Sequence, residues 1–310
     1  MKNLKGIFEI LNVQNSEAYF EEFTKSLKNN ITTWDYFVNW DKVVNNVEKI
    51  ELELNILNYL IGKSNDVIKL ELKKILKEYP KVALLFPILV AFREKHTKIL
   101  VSYDFNTFNY KDFYFNLRNK LSENEIDDII YFAEKTGILK LISDKRIKNM
   151  VDYVVGIEVG LDSNGRKNRT GKLMESIVEL FISKICKKYE YEYLTQANAK
   201  KIKEKWGLNI TVDKSSRRID FVIRTKQHLF LIETNFYAGG GSKLKSTAGE
   251  YRSMFDYWKK DGHEFVWITD GFGWNKTLKP LSETFEHIDY ILNLEFVARG
   301  VLENILTKDS

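Results

Sequence analysis

The chain has 310 residues, 44% of them hydrophobic, enough to bury one large core or two smaller ones and too apolar for a disordered protein. Lysine and arginine number 48 against 43 acidic residues, and the net charge of +5 is compatible with a polyanionic partner without demanding one. The single cysteine, Cys186, excludes an internal disulfide and a cysteine-built zinc cage, which fits a reducing compartment.

The amino terminus, "MKNLKGIFEILNV", carries Glu9 inside a short apolar stretch and makes a poor signal peptide. Val47, Ile50, Leu54, Leu57 and Ile61 recur at steps of three and four residues, which predicts one helical face stopped by Gly62. A second helix is predicted from about Asp66 to Tyr79, ending before Pro80. The longest apolar run, "VALLFPILVAF" at 82–92, is too short to span a bilayer and contains Pro87, so it reads as a buried, kinked helix. A soluble cytoplasmic protein with no membrane partner is therefore expected. Aromatic residues crowd "YDFNTFNYKDFYFNL" at 103–117. Stacking on bases is one use for them, but core and interface filling is the expectation in a chain that is 14% aromatic. Ser122 and Glu125 form a capping-box pattern before Ile126, Ile129, Ile130 and Ala133, and Gly137 closes that helix.

The character changes near residue 150, which divides a mainly helical region, 1–150, from a mixed region, 151–310. "LDSNGRKNRTGKL" is polar and basic and leads into a helix with the stripe Met174, Ile177, Val178, Phe181 and Ile185. Strand-like segments follow at "YEYLTQA", "RIDFVIR", "HLFLIETNF" and "EFVWITD", with the helical "GEYRSMFDYWKK" before the last. The order implies an α/β (α+β) fold: a mixed sheet flanked by helices, its first three strands a meander, behind a helical amino-terminal half.

Period-two alternation places Asp220 on one face of its strand and Leu229, Leu231, Glu233 and Asn235 together on one face of the next. A turn centred between Lys226 and Gln227 sets Asp220 directly across from Glu233. Two carboxylates so placed, roughly 5 Å apart at Cβ, repel and weaken the sheet. A divalent cation between them turns the repulsion into a binding site, and oxygen ligands completed by water suit Mg²⁺. The plain alternative is a solvent-facing polar edge of an amphipathic strand. Glu175 lies on the flank of the helix stripe, free to reach water or the sheet edge carrying Asp220.

"GGGSK" lacks the order of a nucleotide-binding P-loop, and no organic cofactor is expected. Gly240 and Gly241 could let the backbone, with Ser242, approach a nucleic-acid phosphate, while Lys243 and Lys245 supply charge; a flexible turn is the bland reading. Arg166, Lys167, Arg169 and Lys172 form a second basic cluster at a helix start, where arginine does little for the helix dipole. The four histidines, His96, His228, His263 and His287, show no metal-ligand spacing.

Asp220, then Glu233 with Asn235, on adjacent strands of a helix-strand-strand-strand-helix-strand unit, resembles the PD-(D/E)xK nuclease core. The longer stretches "GLDSNGRKNR" and "DFVIRTKQHLFLIETNFYAGGGSKLK" are more particularly similar to the MboI/DpnII family of type II restriction endonucleases. The likeness implies Mg²⁺-dependent cleavage of double-stranded DNA before the guanine of GATC, blocked by adenine N6-methylation, by a homodimer whose nuclease core is residues 151–310. Residues 1–150 would then serve recognition or dimerisation. Asp220 and Glu233 become metal ligands and Glu175 an additional acid. Asn235 stands where the wider fold has lysine, so activation falls more heavily on the metal or on Lys243. Two rivals stay open: a silent DNA-binding protein, whose binding would survive EDTA, and a structure-specific repair or recombination nuclease, which would not cut plasmid into a defined ladder.

Overall fold

The computed structural model describes residues 4–308, apart from the side chains of Asp35, Lys167 and Asn168. The chain forms two compact units, Met1–Tyr36 with Lys167–Ser310, and Phe37–Arg166. This division departs from a cut at residue 150. The first helices, α1 (Lys5–Leu11) and α2 (Ser16–Lys25), belong with the carboxy-terminal stretch. Their apolar faces are completed there: the Tyr19 hydroxyl donates to the Ile291 carbonyl at 2.6 Å, and Phe23 packs edge-on against Phe285 and Phe296.

The unit Phe37–Arg166 has its own core, built by α3 (Trp40–Glu48), α4 (Glu51–Asn58), α5 (Asn65–Glu78), α6 (Leu85–Leu89), a two-stranded antiparallel ribbon, β1 (His96–Tyr103) and β2 (Phe108–Tyr114), then α7 (Glu123–Lys135), α8 (Ile138–Ser143) and α9 (Met150–Ser163). The stripe from Val47 to Ile61 is shared by α3 and α4, which part at Lys49 and Ile50, yet Val47, Leu54 and Leu57 stay buried. The run at 82–92 is mostly buried as far as Leu89 and is broken as expected, a 3-10 turn (Pro80–Leu84) leading into α6, while Val90 and Ala91 beyond it are exposed. At α7 both halves of the Ser122–Glu125 capping box are made. Two buried acids of α9 are satisfied within the unit: Glu158 by Arg93 and Asn46, Asp162 by the Asn39 backbone and Lys42.

The ribbon corrects the expectation for the aromatic segment. Asp104 accepts from the backbone of Asn106 and Thr107, both at 2.8 Å, and this tight turn pairs Tyr103 with Phe108. Alternation then sends Phe113 to the core beside Phe132, while Tyr103, Phe105, Phe108, Tyr110 and Tyr114 are exposed. Core filling holds for Phe113 and Phe115 and fails for those five.

The second stretch opens with α10 (Arg166–Tyr189), whose Met174, Val178 and Ile185 are buried. There follow β3 (Glu192–Ala197), α11 (Ala199–Trp206), β4 (Ile219–Arg224), β5 (Leu229–Phe236), α12 (Ser242–Lys260), β6 (Glu264–Asp270), α13 (Leu278–His287), β7 (Tyr290–Leu292), α14 (Leu294–Ala298) and α15 (Val301–Thr307). The sheet order is β3-β4-β5-β6-β7: β3, β4 and β5 form the antiparallel meander, and β6 and β7 run parallel to β5. This is the mixed α/β arrangement expected, with α11 inserted between the first two strands. Phe221, Val222, Ile223 and the whole of Leu229–Thr234 are buried, so these strands are covered on both faces. Among the described residues, no helix is long and apolar enough to cross a membrane.

Candidate active site

The β4–β5 ladder pairs Phe221 with Ile232, Val222 with Leu231, Ile223 with Phe230 and Arg224 with Leu229. Thr225 and His228 close the turn across Lys226 and Gln227, so the register is the one inferred from the sequence. One step past the last pair, Asp220 falls opposite Glu233. Backbone pairing gives way there to the Asp220 side chain, whose Oδ2 accepts from the Thr234 backbone at 2.8 Å and from its hydroxyl at 2.9 Å. On the other flank of β4, Thr195 pairs with Phe221 and Ala197 with Ile219, leaving Gln196 beside Asp220. Its Nε2 donates to Asp220 Oδ1 and to Glu175 Oε2, each at 2.9 Å. Glu175 therefore reaches the sheet edge from α10.

Glu233 is only 5% exposed, which removes the reading of a solvent-facing strand edge. Tyr251, on α12, donates its hydroxyl to Glu233 Oε2 at 3.1 Å, while Oε1 is buried with no hydrogen-bond partner. Asn235 is turned to the protein: its Oδ1 accepts from the Trp267 indole at 2.8 Å. Burial, and then the charge of Asp220, push the Glu233 carboxyl well above the usual carboxylate range; the Tyr251 bond and the Arg217 charge offset this in part. Burial also raises Asp220 against the bonds from Thr234 and Gln196. Glu175 is raised by burial and by Asp220. Perturbed acids gathered in one place mark functional sites.

Arg169 and Lys172 line one cleft of about 190 Å³ with Thr33, Tyr36, Leu173 and Ser176. Arg166 begins α10, and the side chain of Lys167 lies outside the described residues. Gly241 caps α12, placing Ser242, Lys243 and Lys245 in its exposed first turn. The glycine loop is braced rather than loose. Tyr237 N donates to the Asp270 carbonyl and Gly273 N to the Tyr237 carbonyl, and a Cβ on Gly273 would stand 2.5 Å from the Gly239 carbonyl oxygen. Gly240 itself lies against the Lys276 side chain.

Sequence reasoning missed Gln196, Thr234, Tyr251, Trp267 and Arg217. Arg217 holds Asp213 through two bonds, at 2.9 and 2.8 Å, and also pairs with Glu250. The signal that could have found Gln196 is the β3–β4 register, which the intervening α11 hides. Tyr251 reads in sequence as one more apolar position of a helix stripe.

Among the described residues no three histidine, cysteine, aspartate or glutamate side chains form a ready-made cation cage. What the site offers is an oxygen-only pair, Asp220 and Glu233, with one buried oxygen of Glu233 lacking a partner. That donor set fits a hard divalent cation that keeps several waters or phosphate oxygens of its own.

A profile of the DpnII restriction endonuclease family matches residues 19–304. The enzyme so defined is a type II site-specific deoxyribonuclease, a hydrolase that binds DNA. The type II restriction enzyme MjaIII of Methanocaldococcus jannaschii is 47% identical over 295 residues, covering 93% of this chain and 99% of that protein. The type II restriction enzymes DpnII of Streptococcus pneumoniae and MboI of Moraxella bovis are each 36% identical over 92% of this chain, and over 98% and 95% of their own lengths. The chain belongs to the DpnII restriction endonuclease family.

Proposed function

We propose that this enzyme cleaves double-stranded DNA before the guanine of GATC with Mg²⁺ at Asp220 and Glu233, that adenine N6-methylation of the site blocks it, and that it acts in the cytoplasm as a homodimer. The observation that carries the metal reading is Glu233 Oε1, a buried carboxylate oxygen without a partner, on the residue opposite Asp220. The reading of GATC rests on the likeness through "DFVIRTKQHLFLIETNFYAGGGSKLK", and that of a dimer on the two-fold symmetry of the target.

Asp220 and Glu233 would hold the Mg²⁺, which when bound would supply a water of lowered pKa and offset the charge that builds on phosphorus. The chain's own residues set the geometry. Thr234 and Gln196 orient Asp220, and Tyr251 orients Glu233. Glu175 is the additional acid at the sheet edge. Asn235, bonded to Trp267, contributes by steadying the strand end that carries Glu233 and brings no positive charge. Lys243, exposed in the first turn of α12, is our candidate to lend charge to the scissile phosphate. Arg166, Lys167, Arg169, Lys172 and Lys245, with the backbone at Gly240, Gly241 and Ser242, hold the DNA backbone, and base-edge contacts supply the sequence preference. The test is a cleavage assay with Mg²⁺, with EDTA, and with Mg²⁺ restored. Cutting should stop and return; cutting that persists in EDTA contradicts the reading.

A further inference from the structure

The backbone of Gln196 is at odds with its place. It lies inside β3, where extended conformation is the rule, yet its φ is +47°, in the left-handed region that is strained for a residue with a Cβ. The β3–β4 pairing skips it, going from Thr195–Phe221 to Ala197–Ile219. Its side chain is exposed, so burial does not compensate. What it gains is two bonds from one amide nitrogen: Nε2 donates at 2.9 Å to Glu175 Oε2, on α10, and at 2.9 Å to Asp220 Oδ1, on β4.

Those two carboxylates carry like charge, and without a donor between them they would move apart. A carboxylate offers about four lone-pair directions. Thr234 bonds twice to Oδ2 of Asp220 and Gln196 once to Oδ1, so Asp220 is fixed in orientation and still able to accept at Oδ1. We propose that Gln196 is a positioning residue, which ties Asp220 to Glu175 and so holds the Asp220 carboxylate in the orientation that the cation site needs. The inference rests on the reading of Asp220 and Glu233 as that site.

Strain spent on function separates this role from ordinary support of the sheet. Gln196→Gly removes the amide and also relieves the left-handed backbone. Gln196→Asn keeps an amide and tolerates the same backbone, but is one methylene short of the bridge. Each variant of the full chain, the wild type and Asp220→Ala are titrated with Mn²⁺ alone, read by loss of the free-ion electron paramagnetic resonance signal, and melted without metal. Both Gln196 variants should bind Mn²⁺ roughly tenfold or more weakly, and Gln196→Gly should melt at or above the wild-type temperature. Wild-type Mn²⁺ affinity in Gln196→Gly overturns the proposal. So does a fall in its affinity accompanied by a lower melting temperature, which marks a structural residue. If the wild type and Asp220→Ala bind Mn²⁺ alike, the cation site itself is misassigned, and the inference falls with it.

Discussion

The Tyr251 hydroxyl donates to Glu233 Oε2 at 3.1 Å and leaves the other oxygen of that buried carboxylate without a partner. One oxygen is thus held by the protein and the other is available to a ligand. Tyr251→Phe removes the donor and keeps the ring among Phe265 and Trp267. An acceptor stripped of its partner in the interior costs about 1–3 kcal/mol, so the variant should melt lower and bind divalent cation more weakly, by roughly tenfold. Differential scanning calorimetry and a metal titration check both; an unchanged metal affinity would mean that the hydroxyl does not orient Glu233.

Asp220→Ala and Glu233→Ala should remove nearly all cleavage while leaving DNA affinity in low-salt, metal-free buffer close to that of the wild type. Removing Arg166, Lys167, Arg169 or Lys172 should do the reverse: weaker binding, and a salt dependence flatter by about one unit of slope for each lost phosphate contact. Filter binding across a salt series and single-turnover cleavage separate the two groups. Normal cutting by the alanine variants at 220 and 233 would place the metal elsewhere.

In the proposed mechanism Asn235 stands where the wider fold has a lysine, and Lys243 is the candidate to supply its charge. Because the Asn235 side chain is already bonded to Trp267, Asn235→Ala should lose part of the rate, roughly tenfold, by loosening the strand end that carries Glu233. Lys243→Ala should slow single-turnover cleavage at saturating enzyme, where weaker binding cannot account for the loss. An unaltered rate in Lys243→Ala would leave the metal as the source of positive charge.

The register at the site was legible because a strand pair with a two-residue turn leaves few choices. Placing that turn at Lys226 and Gln227 brings Asp220 to Glu233, and the structure has that register up to the pair Phe221–Ile232, one step before them. Helix α7 was legible for a similar reason, since Ser122, Glu125 and Gly137 act locally. What escaped depends on distant parts of the chain. Gln196 reaches Asp220 across α11, and α2 finds its partners at Phe285 and Phe296, far along the sequence. The β1–β2 ribbon escaped because its aromatics suggest a core that its outer face does not provide.

The Arg217–Asp213 pair gives a pH test of its own. Hydrogen bonding to Arg217 holds the Asp213 carboxyl below the ordinary aspartate value. Its stabilisation is therefore present above the unfolded pKa, near 4, and is lost as pH falls through the lowered value in the fold. Asp213 is partly exposed and screened by water, so Asp213→Asn should melt only about 2 °C below the wild type at neutral pH. That gap should close as the pH drops below about 4; a gap that widens in acid would mean that the ion pair is not what Asp213 contributes to stability.

The central claim is most directly tested by digesting one plasmid of known sequence, prepared both unmethylated and fully N6-methylated at GATC, in Mg²⁺ buffer. The expected result is a set of fragments from the unmethylated plasmid whose ends all map immediately before the guanine of GATC, and an intact methylated plasmid. Ends that map to another sequence, or equal cutting of the two plasmids, would contradict it.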